Sequence, residues 1–145
     1  MPILECCSSG FSIPMKPSEG DLIAKASEAR QKALAPYSGF KVGAALRMKD
    51  GRIYTGCNIE NVSYGLSICA ERVALWKALS DGATDFAEMA IVTDADVLTS
   101  PCGACRQLLW EYCGDIPIHL HSLKGLHQEH GLGELFPFPF DQRSM

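Results

Sequence analysis

A layered α/β fold, a mixed sheet flanked by helices, is predicted for this 145-residue chain on three observations. Helix-like and strand-like segments interleave along the chain rather than clustering by type. Two alternating segments meet at Asp50-Gly51, a two-residue turn signal. A short continuous apolar run, MAIVT at 89–93, suits a strand covered on both faces.

Residues 1–17 are rich in Ser, Pro and small side chains without a sustained period. They read as an N-terminal extension to a single domain spanning 18–145. Ser18 followed by Asp21 is an N-cap signal with an acid in the first turn. Leu22, Ile23, Ala26, Ala29, Ala33 and Leu34 then keep helical spacing until Pro36 closes the segment. Val42, Ala44, Leu46 and Met48 alternate with Lys41, Gly43, Ala45 and Arg47, and RIYTGC returns as the second strand of a hairpin. From about Cys69 to Ser80 no breaker interrupts Ala70, Val73, Ala74, Trp76 and Leu79, and Gly82 stands where a helix stops. After MAIVT, Pro101 suits the first position of a helix reaching Cys113, and IPIHLH alternates as a further strand. The polar Gly/His segment beyond it has room for one short edge strand, a fifth, before GLGELF makes a helical turn.

Hydrophobic residues make up 47% and charged residues 21%, a globular rather than disordered or fibrous composition. A domain of this length buries a core without help from a structural metal, so a metal here is free to be catalytic. No stretch approaches the roughly 18 apolar residues of a membrane span. The start, MPILECCSSGF, has no basic region and no apolar stretch of a secretory signal, so a cytoplasmic protein with no membrane partner is expected. With net charge −4 and no Lys/Arg run interleaved with aromatics, no nucleic-acid partner is expected either. In a reducing compartment seven cysteines, an odd number, point to metal binding or chemistry before disulfides.

The chemistry sits at two helix starts. In Pro101-Cys102-Gly103-Ala104-Cys105, thiols three residues apart share a helix face, and a helix N-terminus favours the thiolate through its dipole and free N–H groups. A redox pair and a structural zinc site use the same spacing. A third cysteine, Cys69, stands at the other helix start, followed by Ala70 and Glu71. Residues two apart in a helix point about 200° away from each other, so Cys69 and Glu71 can share a site only if Cys69 is the cap.

These motifs, Cys69-Ala70-Glu71 and P-C-x-x-C at 101–105, have the zinc deaminase pattern of a metal triad with a nearby non-ligand Glu. Together with PYSGFKVGAAL (36–46), GCNIENVSYGLSICAER (56–72), PCGACRQ (101–107) and ELFPFPF (134–140), they resemble the homotetrameric zinc-dependent cytidine deaminases over residues 18 to 140. The resemblance implies a three-layer fold with a five-stranded sheet, and hydrolysis of cytidine and 2'-deoxycytidine to uridine and 2'-deoxyuridine plus ammonia, in pyrimidine salvage. It implies one Zn2+ per subunit on Cys69, Cys102 and Cys105, with Glu71 as proton shuttle. It assigns Asn58 and Glu60 to the ribose hydroxyls, the Ala70 backbone to the pyrimidine carbonyl and Phe40 to packing near the base. Tyr64 and Phe140 match positions that reach into a neighbouring subunit's site, which implies a homotetramer with shared sites.

Physically, three thiolates leave one tetrahedral zinc position for water, yet the formal charge of the cage, −1, works against acidifying that water. Two helix N-termini offset it, and Arg72 matches a family arginine that hydrogen-bonds cysteine sulfur. Glu60 would repel a phosphate, so a free nucleoside is favoured over a nucleotide.

Two other readings compete. A related enzyme class deaminates aminonucleoside antibiotics such as blasticidin S on the same metal core; Asn58, Glu60 and ELFPFPF favour cytidine. A zinc-stabilised binding module without turnover would close the metal shell with Cys57, Cys113 or a histidine. Otherwise Cys57 and Cys113 read as buried thiols, Cys6-Cys7 as incidental, and Phe136, Phe138 and Phe140 as a hydrophobic C-terminal anchor. His119 and His121 share a strand face without an apparent third partner, and His127 and His130 fall in a polar loop, so all four are expected to be structural.

Overall fold

The computed structural model describes residues 17 to 145; the sequence-predicted extension, including Cys6-Cys7, lies almost wholly outside them. Helix α1 spans Pro17–Arg30, strands β1 and β2 span Gly43–Met48 and Ile53–Cys57, and helix α2 spans Ala70–Ser80. Strand β3 (Phe86–Thr93), helix α3 (Gly103–Cys113), strands β4 (Pro117–Ser122) and β5 (His127–Gly131) and the short helix α4 (Leu132–Leu135) complete it. The five strands form one sheet in the order β2-β1-β3-β4-β5. Only β3 and β4 pair in parallel, the other three pairings being antiparallel, so the sheet is mixed as predicted.

Alternation along β1 and β3 sorts the core into two faces. Ala44, Leu46, Met48, Met89 and Ile91 pack with Ala74, Leu75 and Ala78 of α2 and Leu109 of α3. Ala45, Ala90 and Val92 point the opposite way, onto Leu22, Ile23 and Ala26 of α1. Helices on both faces make three layers, and they explain why β1 is buried at almost every position rather than at alternate ones. Small residues set the spacing of the layers. A Cβ on Gly43 would meet the Ala26 carbonyl of α1, and one on Gly56 would meet the Ala70 carbonyl at 2.4 Å and the Ala74 nitrogen at 2.5 Å. Gly56 thus lets the start of α2 lie against β2.

The turn between β1 and β2 is where Asp50-Gly51 placed it. Gly51 adopts φ +92, and Asp50 Oδ1 accepts from the Arg52 N–H at 3.0 Å. The predicted edge strand is β5, and GLGELF contains α4.

Five expectations need correction. Ser18 is the second residue of α1, which begins at Pro17, and not its cap, and the acid of the first turn is Glu19 and not Asp21. Helix α1 ends at Arg30, short of Leu34: the chain tightens into a turn through Ala33, and the Leu34 N–H bonds the Asn58 carbonyl at 3.1 Å, a tertiary pairing that outweighs local spacing. Strand β3 begins at Phe86, three residues before MAIVT, because pairing with β1 continues through Glu88 and Phe86. Pro101 precedes the α3 cap instead of opening the helix, since Cys102 is extended at φ −66, ψ 165. His127 and His130 belong to β5 and not to a loop, and His127 is buried beside His119 and His121, where burial pulls the pKa of both His121 and His127 down. No helix among the described residues is long and apolar enough to cross a membrane.

Candidate active site

The two helices on one face of the sheet begin side by side. Cys69 caps α2 with extended backbone (φ −73, ψ 151), and Cys102 caps α3 in the same way. The cap conformation puts Cys69 outside regular helix geometry, so Glu71, the second residue inside, need not point away from it. Cys105 is the third residue of α3, so with Cys102 it occupies the cap and third positions at the start of that helix.

The Sγ atoms of Cys69, Cys102 and Cys105 lie within 4.8 Å of one another, and those of Cys69 and Cys102 are 3.8 Å apart. Tetrahedral thiolates about 2.3 Å from a zinc ion stand about 3.8 Å apart, so the sulfurs fit the ion. No other His, Cys, Asp or Glu donor joins this group among the described residues. Cys57 and Cys113 are free thiols elsewhere, and burial pushes the Cys113 pKa up to about 12.

The thiols are electrostatically unequal. A hydrogen bond from Cys105, with contributions from Arg72 and Cys102, brings Cys69 down to about 5 against the opposing effect of burial. Cys105, wholly buried, is shifted upward, first as donor to Cys69 and then by desolvation. Arg72 Nη2 donates to Cys69 Sγ at 3.7 Å, and this bond raises the guanidinium pKa further. Glu71 is 6% exposed, and burial raises its carboxyl to about 7, with Cys69 adding to the effect.

A cleft of ≈ 390 Å³ opens over these groups, of a size that suits a small organic molecule. It brings together Phe40, Asn58, Glu60, Tyr64, Cys69, Ala70, Glu71, Arg72 and Cys102. A larger groove of ≈ 560 Å³ at Asp50, Arg52 and Asp85 has no thiol or imidazole beside it, so chemistry and not size selects the cleft. Phe40 is exposed and lines the cleft. Asn58 Oδ1 accepts from the Val42 N–H at 2.8 Å, while its Nδ2 donates to the Phe40 carbonyl at 2.7 Å. Glu60 accepts from the N–H groups of Tyr37 and Ser38 and from the Ser38 hydroxyl, which holds its carboxyl below the usual range. Tyr64 stands on the rim of its own chain's cleft, with its ring 5.9 Å from that of Tyr37. Phe140 does not line the cleft; its carbonyl accepts from Gln107 Nε2 at 2.9 Å.

Arg106 escaped the sequence reading. Its Nε donates to the Pro101 carbonyl at 2.7 Å, its Nη2 to Ser100 Oγ at 2.7 Å and its Nη1 to the Leu135 carbonyl. It therefore fixes the segment that delivers Cys102, and an arginine directly after P-C-x-x-C was the available signal. Thr99 and Ser100, which line the same cleft, carried none.

Residues 17–118 match the family model described as the cytidine and deoxycytidylate deaminase zinc-binding region. The chain is 48% identical over 125 residues to a cytidine deaminase of Sporosarcina psychrophila, covering 86% of this chain and 92% of that protein. It is 50% identical over 125 residues to a cytidine deaminase of Halalkalibacterium halodurans, covering 86% of this chain and 95% of the relative. A crystal structure of cytidine deaminase from Burkholderia pseudomallei superposes with TM-score 0.82 at 44% identity, over 87% of this chain and all (100%) of that one.

Proposed function

Because the chain belongs to the zinc-dependent cytidine deaminase family, we propose that Glu71 is its proton shuttle and that Cys69, Cys102 and Cys105 hold its zinc ion. The activity is the hydrolytic deamination of cytidine, in which water replaces the C4 amino group to give uridine and ammonia. 2'-Deoxycytidine is the second substrate, and both serve pyrimidine salvage in the cytoplasm.

The observation that carries this reading is a three-thiol group with no fourth protein donor among the described residues, next to a buried carboxyl at about 7. A structural zinc site would be closed by four protein ligands, whereas a catalytic one keeps a position open. Zinc, when bound, supplies the Lewis acidity that makes water nucleophilic at neutral pH. Glu71, able to hold and release a proton near pH 7, protonates ring N3 and then carries a proton to the departing amino nitrogen. One carboxyl serves both transfers in turn. Arg72 and the free N–H groups at the two helix starts offset the negative charge of the thiolates.

The rest of the cleft positions a nucleoside. Phe40 packs near the base and the Ala70 backbone meets the pyrimidine carbonyl, while Asn58 and Glu60 take the ribose hydroxyls. The hydrogen bonds that hold Asn58 and Glu60 to residues 37–42 orient both side chains in advance of binding. A 5'-phosphate beside the Glu60 carboxylate would be repelled, which supports a free nucleoside.

Residues 18–145 form the single catalytic domain, and four copies assemble with sites shared through Tyr64 and Phe140. Exposed apolar side chains support the assembly: Val62, Tyr64 and Leu66 are 78%, 64% and 72% exposed and lie in one short segment. Adding purified protein to cytidine, with and without a zinc chelator, tests the reading. Chelator-sensitive loss of cytidine absorbance is expected; no conversion by zinc-loaded protein overturns it.

A further inference from the structure

Outside the cysteine site, one other group among the described residues brings three metal-ligating side chains together. One ligand atom each from Glu19, His119 and His127 lies within 4.8 Å of the other two, and all three residues are buried. Helix α1 supplies Glu19 from its first turn, β4 supplies His119 and β5 supplies His127. They meet on the α1 face of the sheet, the face opposite α2 and α3. We propose that Glu19, His119 and His127 form a second binding site for a divalent transition-metal ion of the zinc class.

Both histidines bring a buried ring nitrogen without a hydrogen-bond partner to this cluster. His119, 1% exposed, has its Nε2 2.8 Å from Glu88 Oε2, and Glu88 in turn pairs with Arg47 at 2.9 Å. A carboxylate only accepts, so Nε2 donates to Glu88, while Nδ1 is buried and without a hydrogen-bond partner. A histidine whose far nitrogen donates to a carboxylate is the arrangement that orients metal-bound imidazoles and raises their basicity. His127 Nδ1 is likewise buried without a hydrogen-bond partner, and the two rings are parallel with centroids 6.1 Å apart. Two imidazoles and one carboxylate make a donor set suited to zinc and its neighbours, and distinct in softness from three thiolates. Glu129, opposite His119 in the strand register, has Oε2 3.6 Å from His119 Nδ1 and offers a further oxygen. Nitrogen and oxygen donors about 2.1 Å from a tetrahedral ion stand about 3.4 Å apart, so an ion would draw these donors, within 4.8 Å of one another, closer together.

The site is independent of the deaminase reading, and its test separates the two. Full-length protein is equilibrated in zinc-buffered solution, and bound metal is counted by elemental analysis beside cytidine turnover. About two ions per chain are expected in the parent and about one in His127→Gln and in Glu19→Gln, with turnover of both variants within about twofold of the parent. Cys102→Ser is expected to keep about one ion while losing turnover. A parent that binds only about one ion, or retention of both ions in either His127→Gln or Glu19→Gln, overturns the assignment. Cadmium-113 NMR of the parent decides the matter without a variant, should a substitution unfold the chain. Two resonances, one of them outside the thiolate region, are expected; thiolate resonances alone overturn the proposal.

Discussion

Cys69 Sγ and Cys102 Sγ stand 3.8 Å apart although each caps a different helix, so the three-thiol group is built at a junction of two N-termini. The start of each helix therefore lies at the thiols. This concentrates positive potential on the thiolates and places Glu71 beside them without a break in α2.

Replacing Glu71 should separate metal binding from chemistry. Glu71→Gln keeps the shape and burial of the side chain, so zinc content should stay at the parent level while uridine formation falls by about 10²–10⁴-fold, the range of general acid–base catalysis. Elemental analysis beside an absorbance assay checks this, and unchanged turnover removes Glu71 from the mechanism.

The buried carboxyl also makes a stability prediction for the metal-free protein. Glu71 titrates near 7 when folded against an ordinary value of 4.5, so the folded state holds its proton more tightly. Its contribution is complete below pH 4.5 and is lost as pH rises through 7, about 3 kcal/mol in all. Cys69, depressed to about 5, acts in the opposite direction, gaining stability as pH rises above 5. Urea melts of chelator-treated parent and Glu71→Gln cancel the Cys69 contribution. The variant should gain on the parent between pH 4.5 and 7, and parallel pH dependences would refute the assignment of that pKa.

Arg72→Gln tests the charge argument. Losing the guanidinium 3.7 Å from Cys69 Sγ should lower turnover about 10-fold or more with zinc retained. Steady-state kinetics with metal analysis reads both quantities, and wild-type turnover would show that the helix ends alone suffice.

Gly56→Ala links packing to chemistry. The added methyl would sit 2.4 Å from the Ala70 carbonyl and 2.5 Å from the Ala74 nitrogen, both backbone atoms of α2. A stability loss of about 1–3 kcal/mol is expected, as overpacking gives, with reduced turnover because the displaced turn carries Cys69 and Glu71. A thermal melt and an activity assay on the same preparation check it.

Much of this architecture was legible. The Asp50-Gly51 turn, the alternation of β1 and the apolar run of β3 are local signals, and each produced its element. What stayed hidden was tertiary. Nothing near Leu34 says that its N–H will bond Asn58 and end α1 early, nor does local sequence reveal Arg106 reaching back to Ser100 and Pro101. Glu19 stands 100 positions before His119 in the numbering, and only docking of α1 on the sheet brings them together. The motif residues from Cys69 to Arg72 were found by their order along the chain, whereas Phe140, also chosen by order, lies away from the cleft of its own chain.

The parallel strand pairing of β3 with β4 has a bearing on how the chain folds. The β1–β2 hairpin is local and forms early, on a microsecond scale, and α2 follows β2 after a short loop. Helix α3 lies on the connection from β3 to β4, so Cys102 and Cys105 reach Cys69 only when that crossover docks, a step that must first close a long loop. Assembly of the thiol triad therefore waits on docking of that crossover. Metal uptake then reports completed tertiary structure, and a stopped-flow zinc-binding signal during refolding should lag the formation of secondary structure.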